Sequence, residues 1–335
     1  MTFKKFATAL AAGVSVAVMV GSTTARAAEE LTVAYFLEWP TPNQFAQAQE
    51  IYEKELGVKI NWRSFDAGTA MSAAMASGDV QISFSQGIPP FVVATSAGQD
   101  LQIVDIAVSY SENDNCVVRS SLEITKANAK ELEGKEVGVP LGTAAHYGFL
   151  KQMAHFGVNT STMKIVDMAP PDGAAAFANG NLDMVCGWGG ALRRMKEHGN
   201  VLLSGAEKEE LGIQIFDVTT VSTSWAKENS ELLTKFLRVT AEMNERFAKG
   251  DAEMLPVIAK AAGMDEEATK ATLAGFYFPS VEEQLGPKWM GGGTQKFLKE
   301  VADFFVAQKT IEKARDSYES AVDASYLTAA AKLGQ

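Results

Sequence analysis

The sequence predicts an α/β protein of two lobes, each a sheet flanked by helices, joined by two hinge crossings into a clamshell. Three observations predict it. Without an N-terminal leader the chain is still longer than a single core usually organises. Strand patterns alternate with helix patterns along most of its length, as in parallel sheets with right-handed crossovers. The alternation restarts near Asn115 and ends in an apolar, β-branched run, Ile213 to Ser222, that reads as a return crossing.

The leader comes first. Lys4-Lys5 precede an apolar run, Phe6 to Val20, and then Ser22-Thr23-Thr24-Ala25-Arg26-Ala27. A positive region, an apolar region and an A-x-A site predict a secretory signal, residues 1–27, cleaved near Ala27. The run is too short for a membrane anchor, and no Cys stands at the site to carry a lipid. Removing 27 of 335 residues leaves 308, and losing Lys4, Lys5 and Arg26 takes the formal charge from −11 to −14. An acidic chain without a basic run is a poor partner for nucleic acid. Its acidity serves solubility.

Leu31 to Leu37 alternates and forms the first strand, ending at the loop Glu38-Trp39-Pro40-Thr41-Pro42-Asn43. Gln44 to Leu56 is a helix stopped by Gly57, Val58 to Phe65 a strand, and Asp66 to Ser77 a helix closed by Gly78. Val80 to Phe84 is a strand leading through the loop Ser85-Gln86-Gly87-Ile88-Pro89-Pro90 to a helix, Phe91 to Ala97. Leu101 to Val108 is the fourth strand. The second unit runs through strands at Asn115 to Arg119, Glu136 to Pro140, Met163 to Val166, Leu182 to Cys186 and Val201 to Ser204. Its helices follow Ala144, Pro170 and Ala191. From Ser230 the chain is mainly helical and amphipathic, which packing alone explains. Residues 28–112 and 218–335 therefore make a discontinuous first lobe, and 113–217 the second.

Cys116 and Cys186 are the only cysteines, and either a disulfide or two buried thiols fits them. Three scattered His and two distant Cys show no metal-ligand spacing, so no metal or cofactor is expected.

The richest stretch is Gly138-Val139-Pro140-Leu141-Gly142-Thr143-Ala144-Ala145-His146-Tyr147. A strand feeds a tight turn whose Thr caps a helix, leaving backbone N–H groups and the positive helix end at the sheet's carboxyl edge. Ligands of open α/β sheets bind at that edge. Ser85-Gln86-Gly87-Ile88 offers a second helix N-terminus from the other lobe, with Pro89 suited to a first turn. Two such ends suit sulfonate, sulfate, phosphate or carboxylate, although each is also an ordinary turn of this fold.

Asp217 lies within Ile213-Gln214-Ile215-Phe216-Asp217-Val218, where an ionised carboxylate is costly without a partner. The partner is either a protein cation or a ligand's. Trp188 covers a ligand or fills a lobe interface. Glu38 and Trp39 offer a second place for a cation or form a solvated loop. His146 either reaches the anion or braces its loop. Arg193-Arg194 reads as a helix face in solvent. No G-x-S-x-G, H-E-x-x-H or P-loop appears, so the chain reads as a carrier rather than an enzyme.

Val33-Ala34-Tyr35, Ala76-Ser77-Gly78-Asp79-Val80-Gln81-Ile82, Val139-Pro140 with Thr143 and His146-Tyr147, Trp188, and Phe216-Asp217-Val218 resemble the taurine-binding proteins of ABC importers. The wider group is the nitrate, sulfonate and taurine branch of type II periplasmic binding proteins, and the resemblance spans the mature chain. It implies a monomeric periplasmic protein that delivers taurine, or a related small sulfonate, to a membrane permease with its cytoplasmic ATPase. It further implies sulfonate contacts from Gly87, Ile88, Thr143, Ala144 and His146, an ammonium contact from Asp217, and Trp188 packed on the ligand. Glu38-Trp39-Pro40 and Ser85-Gln86-Gly87 depart from the familiar taurine binders. A different sulfonate or small zwitterion is the alternative ligand. An enzyme is the rival class, since thiamine-pyrimidine and menaquinone-pathway proteins share the fold.

Overall fold

A computed structural model describes residues 1–2 and 30–333, so the expected leader lies outside the described residues. The first lobe opens with β1 (Glu30–Tyr35), α1 (Asn43–Ala48), α2 (Ile51–Leu56), β2 (Lys59–Ser64), α3 (Gly68–Ala76), β3 (Ile82–Gly87), α4 (Ile88–Ser96) and β4 (Leu101–Ser109). The second holds β5 (Asp114–Arg119), β6 (Glu136–Val139), α5 (Ala144–Phe156), β7 (Lys164–Asp167), α6 (Pro170–Ala178), β8 (Met184–Trp188), α7 (Gly189–Lys196), β9 (Gly199–Val201) and α8 (Gly205–Glu210). The chain returns through β10 (Phe216–Ser222) and ends in α9 (Thr223–Glu228), α10 (Ser230–Ala248), α11 (Met254–Ala262), α12 (Glu266–Leu273), α13 (Val281–Leu285), α14 (Gly293–Ala307) and α15 (Ser325–Leu333).

The sheets are mixed, not parallel as the alternation suggests. Their orders are β2-β1-β3-β10-β4 and β7-β6-β8-β5-β9. β10 runs antiparallel to β3 and β4, and β5 antiparallel to β8 and β9. Both reversed strands enter directly from a hinge crossing, without the helical crossover that keeps consecutive strands parallel. Asp217 pairs within the first sheet, opposite Gly87 and Val108, rather than closing the second lobe.

Several boundaries move for local reasons. The expected helix 44–56 is broken at Glu50, which takes a left-handed φ of 53°. β3 continues through Ser85-Gln86-Gly87 because a register shift against β10 absorbs an extra residue, and Ser85 takes φ 62°. α4 starts at Ile88, since Pro89 and Pro90 in a first turn lack only N–H groups that have no intrahelical partner there. Trp188 ends β8, and α7 begins at Gly189 instead of Ala191. Cys116 and Cys186 face each other across β5 and β8, with Cα atoms 3.9 Å apart, and form a disulfide. Among the described residues, no helix is long and apolar enough to cross a membrane.

A continuous apolar core joins β1, β3, β4 and β10 to the helices around them. α14 packs on α4 of the first lobe, and its Phe297, Phe304 and Phe305 meet Tyr147 of α5. One polar group sits at a cost within this core. Asp105 on β4 is buried and accepts from Thr219 Oγ1 at 2.9 Å, and burial pushes its carboxyl up to about 6. A raised folded value means the native state holds a proton that the unfolded chain releases. The resulting penalty is absent below about pH 4 and complete above about pH 6. Asp105→Asn is therefore expected to stabilise the protein at pH 8, on the order of 2 kcal/mol, and hardly at pH 4. Denaturant midpoints at the two pH values check this; equal shifts would show that burial of the charge is not the cause.

Candidate functional site

Among the described residues, two of the cavities between the lobes share walls near Asp217. The outer cleft, about 310 Å³, is walled by Phe36, Glu38 and Phe65 from the first lobe and Pro170, Trp188 and Ala191 from the second. The inner chamber, about 20 Å³, shares Phe36 and Trp188 with it and adds Trp39, Gly87, Tyr110, Thr143, Ala144 and Asp217. The outer cleft is larger, but the groups of opposite polarity converge on the inner chamber, which identifies it as the candidate site. At this lobe separation it has room for about one water molecule, so a larger ligand requires the lobes to part.

Asp217 forms the acidic end. It is 2 % exposed, and among the described residues no Lys or Arg pairs with it. Its Oδ2 accepts from Ser85 Oγ at 2.7 Å, and its Oδ1 accepts from the Tyr110 hydroxyl. Trp39 Nε1 donates to Ser85 Oγ at 2.8 Å, extending the chain of donors, and its ring meets Tyr110 edge-on at 4.6 Å. Hydroxyl donors thus meet the partner requirement that the sequence left open. They do not offset the loss of water: burial pushes the carboxyl up to about 8, against Tyr110 and Ser85, with Asp114 adding to the rise. Ser85 holds a left-handed φ of 62°, a strained conformation next to its bond to Asp217.

The N-terminus of α5 forms the electropositive end. Thr143 caps it: its Oγ1 donates to the Pro140 carbonyl at 2.6 Å and accepts from His146 N–H at 3.4 Å. The Ala144 and Ala145 N–H groups are left without intrahelical partners, beside the chamber that Thr143 and Ala144 line. Gly87 joins the two ends, for a Cβ built on it would lie 3.5 Å from Asp217 Oδ1 and 3.6 Å from Ala144 Cβ. α4 contributes less than expected as an anion site. Pro89 and Pro90 remove two first-turn donors, leaving that of Ile88 as the free helical one.

Three expected site residues turn elsewhere. His146 Nδ1 accepts from Gly142 N–H at 3.2 Å, so the ring braces the turn behind the chamber. Burial lowers its pKa to about 4, opposed by Asp167, and keeps it neutral. Gln86 is fully buried, donating to the Gly68 carbonyl at 2.8 Å and Ser72 Oγ at 2.6 Å while accepting from Thr220 Oγ1 at 3.0 Å. Glu38 is taken by Arg194, whose Nη2 donates to Oε2 at 3.0 Å and whose Nη1 donates to Oε1. The Arg194 side chain therefore spans the lobes instead of standing in solvent. Trp188 lies 5.9 Å from Phe36 across the cleft, ring to ring.

The sequence reading weighed Ser85 only for its backbone amide and missed its side chain, Tyr110, Phe36 and a further buried acid near Asp217. Asp114, at the start of β5 opposite Trp188, is buried, and its Oδ2 has no hydrogen-bond partner among the described residues. Burial pushes its carboxyl up to about 7, countered by Lys208. Lys208 of α8 is itself fully buried, donates to the Asp114 carbonyl oxygen, and is lowered to about 8 by burial, opposed chiefly by Asp114. The polar run Asn113-Asp114-Asn115 opening an apolar strand is the signal that could have found it. Among the described residues no group of side chains could hold a metal ion.

The family profile described as NMT1/THI5 like matches residues 41–249. The taurine-binding periplasmic protein of Escherichia coli (strain K12) is 26% identical over 306 residues, covering 90% of this chain and 93% of its own. Among solved structures, the alkanesulfonate-binding protein SsuA from Xanthomonas axonopodis pv. citri, bound to MOPS, aligns with a TM-score of 0.72 at 21% identity, over 88% of this chain and 98% of its own. The desulfurization enzyme DSZB shares the fold too, with a TM-score of 0.66 at 13% identity, over 92% of this chain and 100% of its own.

Proposed function

The chain belongs to the NMT1/THI5-like family, and from that premise we propose that it is an exported solute-binding protein that closes on taurine and delivers it to an ABC transporter permease. One observation carries the reading. The inner chamber sets a carboxylate, Asp217, and a helix N-terminus, at Thr143-Ala144, on either side of Gly87. A short zwitterion with a sulfonate and an ammonium matches that polarity, one end for each. Asp114, buried and near enough to raise the Asp217 carboxyl, adds negative charge behind that end when ionised. The similarity to a taurine-binding periplasmic protein supports the same ligand class and compartment. The Cys116–Cys186 disulfide suits an oxidising compartment.

A second reading has its own support. Asp217 already accepts from Ser85 and Tyr110 and is held protonated to about pH 8. A neutral acid of that kind tolerates a simple alkanesulfonate. Thermal shift of the purified protein against taurine, homotaurine, ethanesulfonate, sulfate and glycine betaine separates the two. A large shift with taurine and little with ethanesulfonate is expected. Equal shifts would move the assignment to a general sulfonate binder, and turnover of the bound ligand would move it to the enzymes that share the fold.

A further inference from the structure

We propose that Glu38 and Arg194 set ligand affinity without touching the ligand, by latching the two lobes shut. Glu38 follows β1 in the first lobe, and its N–H donates to the Ala262 carbonyl at 2.8 Å, at the end of α11. Its remaining bonds cross the cleft. The Arg194 guanidinium of α7 grips both carboxylate oxygens, and the Gly190 N–H donates to the Glu38 carbonyl at 3.1 Å. Glu38 thus presents its carbonyl to the N-terminus of α7 and its carboxylate to the arginine one turn further on, both favoured by the helix dipole.

The approach is too close for side chains on α7. A Cβ on Gly189 would lie 2.5 Å from the Glu38 carbonyl oxygen, and one on Gly190 would lie 2.8 Å from Glu38 Cβ. The run Gly187-Trp188-Gly189-Gly190 is thereby explained as clearance for the opposite lobe. Glu38 itself holds a left-handed φ of 53°, which a non-glycine residue adopts only when its surroundings impose it. Neighbouring charges on α7 are engaged elsewhere, Arg193 with Glu197 and Lys196 with Glu112, so the pair is discrete.

These contacts exist only when the lobes are together. They raise the closed fraction before any ligand arrives, and apparent affinity scales with that fraction. The side chains are 39 % and 32 % exposed, so water and salt screen the pair and its effect is modest. Arg194→Ala and Glu38→Gln are each expected to weaken binding about three- to tenfold, mainly through faster release. The device acts whatever the inner chamber holds.

Closure is read without ligand by electron–electron distance measurement between nitroxides at Ser64→Cys and Lys164→Cys. These are exposed sites on β2 and β7, the edge strands furthest in each sheet from the crossings. The native cysteines are tied in their disulfide and leave the labels specific. Arg194→Ala, and separately Gly190→Ala with the ion pair intact, are expected to shift the ligand-free distances longer than in the parent. Unchanged distances in both variants overturn the latch, even if affinity falls. Longer distances with no binding of taurine or ethanesulfonate uphold the latch and remove the sulfonate reading instead.

Discussion

Asp217→Asn is expected to weaken taurine binding on the order of a hundredfold or more, while changing ethanesulfonate binding by less than about threefold. Asparagine keeps the shape and an oxygen for Ser85 Oγ or the Tyr110 hydroxyl, so the wall of the chamber should survive. What it removes is the negative charge. An ammonium brought into a site with a 2 % exposed residue as its partner has little water to fall back on. Ethanesulfonate carries no cation, and its anion is met by the N-terminus of α5, which the substitution leaves alone. Calorimetric titration with both ligands decides the matter. Parallel losses would mean that Asp217 matters only for packing; no loss of taurine would leave the ammonium to another group, with Asp114 the nearby buried acid to test next.

The parts legible in the sequence were those written in local pattern. Alternating strands and helices give two α/β units, and Thr143 before Ala144-Ala145-His146 announces a capped helix, as observed. Asp217 stood out because a carboxylate in a β-branched run needs a reason. Strand direction is not local, so the insertion of β10 between β3 and β4 stayed hidden, and with it the meeting of Ser85, Tyr110 and Asp217. The sequence offers Glu38 as a place for a ligand's cation or as a solvated loop, because its partner, Arg194, lies 156 residues away on the other lobe. Gly189 and Gly190 were likewise unreadable, since the atoms that forbid a Cβ belong to the other lobe. His146 shows the opposite failure: its place one turn into the helix suggests a ligand contact, and only its distance to Gly142 N–H reveals the brace.

Taurine affinity is expected to rise about tenfold per pH unit between pH 6 and pH 8, about a hundredfold in all. The sign follows from burial. Without ligand Asp217 holds its proton up to about pH 8, so below that value an ammonium must expel a proton to obtain its counter-charge. Above it the carboxylate is already ionised and the dependence flattens. Ethanesulfonate should show the reverse slope, because an ionised Asp217 repels an anion that a protonated one accepts. Asp114, raised to about 7, and Lys208, lowered to about 8, titrate in the same window, so Asp217→Asn is the control that isolates one group. In that variant the taurine profile should lose most of its slope. The same linkage governs stability. A carboxyl raised from its unfolded value near 4 to about 8 makes the ligand-free fold progressively less stable as pH rises between them. A bound ammonium reverses the preference, so stabilisation by taurine should grow across the interval in which the free protein weakens. A thermal shift by taurine that is the same at pH 6 and pH 8 would show that no proton is displaced, and hence that the cation does not sit at Asp217.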